Sequence, residues 1–243
     1  MIELTDLTKR YGNTLAVDHL NLAAAKGEIF GFIGPNGAGK TTTIRMMAGV
    51  LGPTEGTVRI DGFAMESDPE AAKRIIGFIP DRPFLYEKLT GMEFLRFVAD
   101  LYGFDDGLLP ERARELLIKF SLYDWSDYLI EAYSHGMKQR LIIASALLHE
   151  SRVIIVDEPM VGLDPAGIRM VKDLFRELSR DGTTIFMSTH TLEIAEDLCD
   201  RIGVIHRGRL VALGSTGDLR GTANLREGDL EEVFLRLTGK EIP

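Results

Sequence analysis

Residues 34–41 read Gly-Pro-Asn-Gly-Ala-Gly-Lys-Thr, and this short segment constrains the fold more than any other part of the chain. It follows an apolar run at 28–33 that predicts a buried strand, and it precedes helical spacing at 41–50. Glycines in such a turn let several backbone N–H groups point inward, where the positive end of the helix also attracts anions. The pattern GxxxxGK[ST] between a strand and a helix therefore predicts a phosphate loop that binds a nucleotide.

The residue types in this loop indicate separate tasks. Lys40 supplies a positive charge for the β- and γ-phosphates, and the Thr41 hydroxyl is a hard oxygen ligand suited to Mg²⁺. An ordinary glycine turn before a helix is the alternative interpretation, and the dinucleotide pattern GxGxxG is not satisfied. The expected nucleotide-binding residues of the loop are Gly34, Pro35, Asn36, Gly37, Ala38, Gly39, Lys40, Thr41 and Thr42.

A second motif follows the apolar residues 153–156, where a predicted strand ends in Asp157 and Glu158. A buried strand would deliver Asp157 beside the phosphate loop, where its carboxylate can hold Mg²⁺ directly or through water. Glu158 would point the other way and polarise a water molecule for attack on the γ-phosphate. A strand that merely ends in a polar turn is the alternative, but the preceding phosphate loop favours the catalytic interpretation.

Strand and helix patterns alternate along much of the chain, which predicts a mainly parallel sheet covered by helices. The alternation is interrupted between about 88 and 150, where helical spacing occurs at 90–102, 110–120 and 135–149. It then resumes and ends in a short amphipathic helix at 230–237. We therefore expect an α/β core that carries a helical insertion.

Composition narrows the classes of protein that fit. Acidic residues outnumber basic ones 37 to 28, and a formal net charge of −9 argues against a nucleic-acid coat. The single cysteine, Cys199, excludes an internal disulfide and, with no signal peptide in the sequence, favours a reducing, cytoplasmic location. No apolar run approaches the roughly 18 residues of a membrane-spanning helix, so we do not expect this chain to cross a bilayer.

Three further segments complete the pattern. Tyr-Ser-His-Gly-Met-Lys-Gln-Arg at 133–140 lies between the two motifs, and Gly-Leu-Asp at 162–164 and Ser-Thr-His at 188–190 follow them. In this order the motifs resemble those of the ATP-binding subunits of ABC transporters, over essentially the whole chain. Together with Gly-Phe-Ile-Pro at 77–80 and the tail segment at 230–235, they are similar to the branch that serves exporters of drugs, polysaccharides and other small molecules.

The resemblance implies roles for residues outside the first two motifs. Tyr11 stands where the family stacks an aromatic ring on adenine, and His190 matches a histidine that bonds the γ-phosphate. Ser134 and Gly136 fall in the family signature, which reaches the γ-phosphate of ATP bound to the opposite subunit. Ser134 is also a good helix N-cap, so ordinary capping is the alternative. Asp164 belongs to a loop that contacts the opposite subunit.

The sequence departs from the family pattern at a few positions. Asp81 replaces a glutamine that in many members touches Mg²⁺ and senses the membrane partner; its carboxylate still offers an oxygen but brings negative charge toward the phosphates. His135 replaces a glycine of the signature, Met137 a glutamine, and residues 160–161 replace small hydroxylic residues. None of these changes removes an atom that the chemistry needs, so we expect an active enzyme with His135 near the γ-phosphate across the dimer.

The predicted fold class is α/β, with a P-loop NTPase core, an antiparallel N-terminal β subdomain and a helical subdomain. A single domain is expected over 1–243, with the helical subdomain at about 88–150 and a C-terminal tail at about 214–243. The predicted function is ATP hydrolysis with Mg²⁺, coupled through ATP-driven dimerisation to transport, and specifically to export, at the cytoplasmic face of the membrane.

The expected partners are a separate transmembrane permease and a second ATP-binding subunit, either identical or related; no nucleic acid is expected. The permease would insert a short amphipathic helix into a groove near 81–86, with Phe84 and Leu85 as contact residues. A soluble ABC ATPase of DNA repair or translation is the alternative. Such proteins carry long coiled-coil insertions or two nucleotide domains, and the spans between Lys40, Ser134 and Asp157 leave no room for either.

Overall fold

A computed structural model of the chain describes residues 1–81, 84–149, 151–223 and 230–239. Arg82 and Pro83, which belong to the groove expected near 81–86, lie outside the described residues. The same holds for Glu150 in the expected helical subdomain, and for 224–229 and 240–243 in the expected tail.

The described residues form two sheets and a set of helices. In chain order the strands are β1 (Ile2–Tyr11), β2 (Thr14–Ala24), β3 (Ile29–Ile33), β4 (Glu55–Ile60), β5 (Phe63–Ala64), β6 (Ile76–Ile79), β7 (Val153–Asp157), β8 (Thr184–Thr189), β9 (Arg201–His206) and β10 (Arg209–Gly214). The α-helices are α1 (Lys40–Met47), α2 (Pro69–Arg74), α3 (Gly91–Tyr102), α4 (Leu109–Lys119), α5 (His135–Ala146), α6 (Pro165–Arg180), α7 (Leu192–Leu198), α8 (Thr216–Thr222) and α9 (Leu230–Thr238).

The first sheet is antiparallel, with its four strands in the order β2–β1–β4–β5. Gly12, with a positive φ of 54°, lies in the tight turn that joins β1 to β2, and Tyr11 pairs with Thr14 across it. Asp6 and His19 adopt left-handed backbone conformations, and the pairing of β1 with β2 is irregular in this part of the hairpin. The alternation of inward and outward side chains is therefore imperfect along these strands.

The second sheet has six strands in the order β10–β9–β3–β8–β7–β6, and only β10 runs antiparallel to its neighbour. Strands β3 and β7 are buried along their whole length, which accounts for their unbroken apolar sequences. The register pairs Ile33 with Thr189 and Asp157 with Ser188, so the carboxyl ends of β3, β7 and β8 meet at one edge. The phosphate loop and the acidic motif both emerge at this edge.

Helix α1 lies between the two sheets. Its residues Thr43, Ile44, Met46 and Met47 are buried, and the apolar ones share a core cluster with side chains of both sheets, among them Phe32 of β3. Packing on both sides fixes the helix axis, and its N-terminus points to the carboxyl edge of the parallel sheet.

Helices α3, α4 and α5, which we call the helical block, fall between β6 and β7 and pack into one core cluster with the parallel sheet. Thr90 and Glu93 form a capping box at the start of α3. Helix α5 ends at Ala146, although the sequence predicted helix as far as His149. The chain turns there, and the His149 ring stacks on Tyr102 with centroids 3.7 Å apart. Taken together, the sheets and helices confirm the predicted fold class.

Candidate active site

The phosphate loop, residues 34–41, follows a path that glycine makes possible. A Cβ atom on Gly34 would lie 2.4 Å from the carbonyl oxygen of Ile205, and one on Gly39 would lie 2.5 Å from that of Ala16. Gly39 also has a φ of 112°, a conformation that other residues rarely adopt. Strands β9 and β2 thus approach the loop so closely that a side chain at either position would displace it.

Lys40 is the first residue of α1, and its side chain folds back over the loop. Nζ donates hydrogen bonds to the carbonyl oxygens of Gly34, at 2.7 Å, and of Pro35, at 3.4 Å. Burial lowers the pKa of the Lys40 ammonium, and the charges of Glu158 and Asp157 oppose that change. The cation is therefore held by neutral carbonyl groups, which phosphate oxygens can replace with a gain in electrostatic energy.

Asp157 is the last residue of β7, and only 2% of its surface is exposed. Its Oδ1 accepts a hydrogen bond from the hydroxyl of Ser188 on the neighbouring strand β8. This bond fixes the orientation of the carboxylate, and the buried strand brings it to the cavity that the phosphate loop also lines.

Glu158 leaves the strand in a different direction because its backbone is left-handed, with a φ of 55°. Its amide donates to the carbonyl and to the hydroxyl oxygen of Ser188, both at 3.2 Å. Its Oε2 lies 2.9 Å from Nδ1 of His190 and accepts a longer bond from the His190 amide, at 3.4 Å. The Glu158 side chain is 14% exposed and that of His190 is 60% exposed, so the pair joins a shielded carboxylate to an accessible imidazole.

These groups line one cavity of about 420 Å³ at the carboxyl edge of the parallel sheet, which we call the cleft. The two motifs lie far apart in the sequence, and the fold brings them to the same cleft. The predicted residues that line it are Pro35, Asn36, Gly37, Ala38, Gly39, Lys40, Thr41, Thr42, Asp81, Asp157, Glu158 and His190.

Four other predicted residues do not line the cleft. Gly34 contributes its carbonyl oxygen to Lys40, and Tyr11 stands half-exposed at the end of β1. Ser134 and Gly136 lie at the start of α5, where the exposed Ser134 caps the helix by accepting a 3.3 Å hydrogen bond from an amide of the first turn. Within one chain, the signature residues therefore do not face the cleft that this chain forms.

Among the residues that the structure describes, sequence reasoning missed two that line the cleft, Ala16 and Val161. Ala16 reaches it because the hairpin strand β2 packs on Gly39, and a small apolar residue in a strand gives no chemical signal of such a position. Val161 lies in the turn after Glu158. The sequence feature that could have indicated its position is the replacement of small hydroxylic residues of the family pattern at 160–161.

A second cavity, of about 660 Å³, lies between the helical block and the segment after β6, and we call it the groove. Asp81 lines both the groove and the cleft. Phe84 is 78% exposed, whereas Leu85 is buried and packs in the core cluster of the helical block, so a charge at Leu85 would disturb that core as well as the groove. The groove is lined by Asp81, Phe84, Leu85, Tyr86, Glu87, Lys88, His135 and Lys138.

The exposed His135 side chain lies against Gly162 of its own chain. A Cβ atom on Gly162 would lie 2.1 Å from the His135 Cδ2 atom, so the ring packs directly against this glycine. Gly162 has a φ of 79° and belongs to the loop in which Asp164 caps α6 by accepting a 2.8 Å bond from the Gly167 amide. His135 therefore connects the groove with the loop at 162–164.

Over residues 1–81, 84–149, 151–223 and 230–239, no group of three or more His, Cys, Asp or Glu side chains could hold a metal ion. Over the same residues, no helix combines the length and the apolar character needed to cross a membrane.

Comparisons with known proteins agree with this architecture. Residues 17–161 match the family model described as ABC transporter. The daunorubicin/doxorubicin resistance ATP-binding protein DrrA of Streptomyces peucetius is 42% identical over 221 residues, which are 91% of this chain and 67% of that protein. The solved structure of an ATP-binding subunit of an ABC transporter has a TM-score of 0.92 at 35% identity and covers 98% of this chain and 99% of the other.

A second solved structure is a dimeric ATP-binding cassette in a post-hydrolysis state with ADP and phosphate bound. It has a TM-score of 0.78 at 27% identity and covers 88% of this chain and 98% of the other. The fold and the cleft define a P-loop ATPase, and the chain belongs to the ABC transporter family as an ATP-binding subunit. The predicted family, the ATPase activity and the binding of ATP are confirmed.

Proposed function

We propose that this subunit works as one half of an ATP-hydrolysing dimer that powers the export of a small molecule through a separate transmembrane permease. The similarity to DrrA, whose name describes resistance to two drugs, supports export. The dimeric solved structure supports pairing with a second ATP-binding subunit, identical or related. A net charge of −9 supports a partner set without nucleic acid.

The observation that carries the catalytic proposal is the Glu158–His190 pair in the cleft that also contains Lys40. Glu158 accepts a proton from the water that attacks the γ-phosphate, because its carboxylate is shielded and oriented. His190 holds that carboxylate and is exposed enough to bond the γ-phosphate. Lys40 leaves its carbonyl partners and neutralises charge on the β- and γ-phosphates.

The cleft also suits Mg²⁺. Mg²⁺ prefers hard oxygen ligands and is usually bound by one or two carboxylates together with substrate phosphates. Thr41 and Asp157 offer a hydroxyl and a fixed carboxylate, and Asp81 offers a second carboxylate at the boundary between cleft and groove. When bound, the ion would supply positive charge to the phosphates, while Ser188 keeps Asp157 oriented toward them.

The remaining site residues complete the nucleotide environment. Adenine stacks on Tyr11, which pairs with Thr14 two residues before Ala16 of the cleft. The Ser134 hydroxyl, the close backbone at Gly136 and the positive end of α5 face the γ-phosphate of ATP held by the opposite subunit. Each of the two sites in the dimer is then built from both subunits.

The permease contacts this subunit at the groove. The exposed ring of Phe84 packs edge-on against Tyr86, with centroids 5.5 Å apart, and the groove is also lined by Lys88 and Lys138, which are paired with Glu131 and Glu87. An amphipathic helix fits such a mixture of apolar and charged groups. The segment at about 88–150 forms a helical subdomain within the domain at 1–243, and the tail at about 214–243 follows the core. Docking keeps the subunit peripheral, at the cytoplasmic face of the membrane.

The proposal is tested by recovering tagged subunit with native membranes and measuring ATP-dependent export of a fluorescent drug from the same cells. Phe84→Asp should lower both membrane recovery and export, because it places a charge on the apolar contact, and it should leave ATP binding intact. Phe63→Asp, a matched change at an exposed aromatic residue of β5, should preserve both. Wild-type recovery of Phe84→Asp would contradict docking at the groove, and export that does not depend on ATP or on this subunit would contradict the function.

A further inference from the structure

One face of the Tyr11 ring is covered by a positive charge. Nζ of Lys9 lies 5.5 Å from the centre of the ring, within the range of a cation–π contact. The same atom donates a 2.6 Å hydrogen bond to the carbonyl oxygen of Gly52. Because this bond anchors the end of a flexible side chain, the ammonium group is held over the ring.

The anchor belongs to a larger set of contacts between the end of β1 and the segment that leaves α1. The Thr54 amide donates to the carbonyl of Thr8 at 2.8 Å, and the Arg10 amide donates to the Thr54 hydroxyl at 3.1 Å. Helix α1 begins at the phosphate loop, and the segment that follows it fixes the strand end that carries Tyr11. Residues 52–54 therefore link helix α1, which begins at the predicted phosphate contacts, to the strand end that carries the predicted adenine contact.

We propose that Lys9 is a positioning residue for the base of the nucleotide. It fixes the plane of the Tyr11 ring and occupies one face, so that adenine stacks on the other. This inference rests on the adenine role of Tyr11 proposed above. Tyr11 is half-exposed, and an unanchored ring would have to be ordered when the base arrives, which would weaken binding.

Loss of Lys9 should affect the binding of the base and the binding of the phosphates differently. A cation–π contact at an exposed site changes an equilibrium constant by roughly two- to five-fold. We expect the triphosphate at the phosphate loop, in the cleft that Tyr11 does not line. Loss of Lys9 should therefore weaken binding of ATP and leave binding of inorganic tripolyphosphate unchanged.

The experiment measures the Kd of ATP and of magnesium tripolyphosphate for Lys9→Met, which keeps the aliphatic stem and removes the charge. We expect the Kd of ATP to rise roughly two- to five-fold, and Lys9→Arg to restore it. Lys26→Met is the matched control, since Lys26 is an exposed lysine in the turn before β3 begins, and the phosphate loop follows the other end of that strand. Thermal unfolding verifies that each variant is folded, and Lys9→Gln replaces Lys9→Met if the latter is not.

A double-mutant cycle with Tyr11→Leu separates this inference from the function on which it rests. If Lys9 acts through the ring, Lys9→Met should have no further effect on the Kd of ATP when Tyr11 is already leucine. Unchanged ATP binding by Tyr11→Leu would overturn the adenine role of Tyr11 and the Lys9 inference together. If Tyr11→Leu weakens ATP binding, two results for Lys9→Met would overturn the Lys9 inference alone. One is wild-type binding of ATP, and the other is an equal loss of binding for ATP and for tripolyphosphate.

Discussion

The carboxylate of Glu158 and the imidazole of His190 meet across 2.9 Å, from Oε2 to Nδ1, although 32 positions separate them in the chain. The two residues follow neighbouring parallel strands, β7 and β8, whose register pairs Asp157 with Ser188. Ser188 completes the arrangement, since its hydroxyl bonds Asp157 and its oxygens accept the Glu158 amide. The pairing of β7 with β8 thus places Glu158 and His190 together in the cleft.

Replacing His190 by alanine should slow hydrolysis while the cleft stays intact. The charge-assisted contact that orients Glu158 would be lost, and such contacts contribute about 1.5–3 kcal/mol, which corresponds to a fall in kcat of about tenfold or more. Phosphate release at saturating ATP measures the effect, with His206→Ala at the end of β9 as the control. A wild-type kcat for His190→Ala would show that the contact between His190 and Glu158 has no part in the chemistry.

Replacing Lys40 by alanine should weaken nucleotide binding. The variant loses the cation that we propose faces the β- and γ-phosphates, and at about 1.5–3 kcal/mol for that contact the Kd of ATP should rise at least tenfold. Calorimetric titration gives the value, and Lys26→Ala provides a surface control. Undiminished ATP affinity in Lys40→Ala would remove the basis for assigning the phosphate loop.

Replacing Gly162 by alanine should test the packing of His135. The left-handed backbone of Gly162 should cost about 1–2 kcal/mol of unfolding free energy with any side chain, and the methyl group would also collide with the His135 ring. In the double variant with His135→Ala, the collision is relieved and only the backbone cost remains. Urea denaturation of the four proteins measures the coupling. Strictly additive effects would mean that the ring does not occupy this position in solution.

The single cysteine, Cys199, should be almost unreactive in the folded protein. Burial raises the pKa of its thiol from 9.0 to about 12, so the reactive thiolate at pH 8 is much scarcer than for a free thiol. Alkylation by iodoacetamide, followed by mass spectrometry, should be clearly slower in the native than in the denatured protein. Equal rates in both states would show that the thiol is open to solvent.

The parts of the site that the sequence predicted are those whose chemistry lies in contiguous residues. The loop at 34–41 and the acidic pair at 157–158 carry both their chemical groups and the signal of a buried strand before them. Ser134 was predicted as an N-cap as well as a signature residue, and in the single chain the capping bond is the one that forms. These predictions needed local pattern and the rule that parallel strands end at one edge.

The parts that the sequence did not predict depend on distant packing. Ala16 lines the cleft because its carbonyl approaches Gly39, and neither residue signals the other. Leu85 and Phe84 are adjacent apolar residues, but one packs into the core of the helical block while the other faces solvent. The contact of His135 with Gly162 likewise follows from how α5 packs against the loop after β7.

If Glu158 is the base, replacing it should slow hydrolysis without weakening the binding of ATP. Glu158→Gln keeps the size and hydrogen-bonding capacity of the side chain but loses its basic oxygen. Lys40, Thr41 and the loop amides are unchanged, so ATP should still bind. Asp157→Asn, in contrast, removes a proposed Mg²⁺ ligand and should weaken Mg²⁺-dependent nucleotide binding without trapping a dimer.

The most direct measurement combines phosphate release with size-exclusion chromatography and light scattering on Glu158→Gln. Hydrolysis should fall roughly 10²- to 10⁴-fold, the usual scale for loss of a general base. The variant should run as a stable dimer in ATP and as a monomer in ADP, because the γ-phosphate that we propose joins the subunits would no longer be cleaved. Hydrolysis by Glu158→Gln at the wild-type rate would contradict the account and leave His190 as the next candidate for the base.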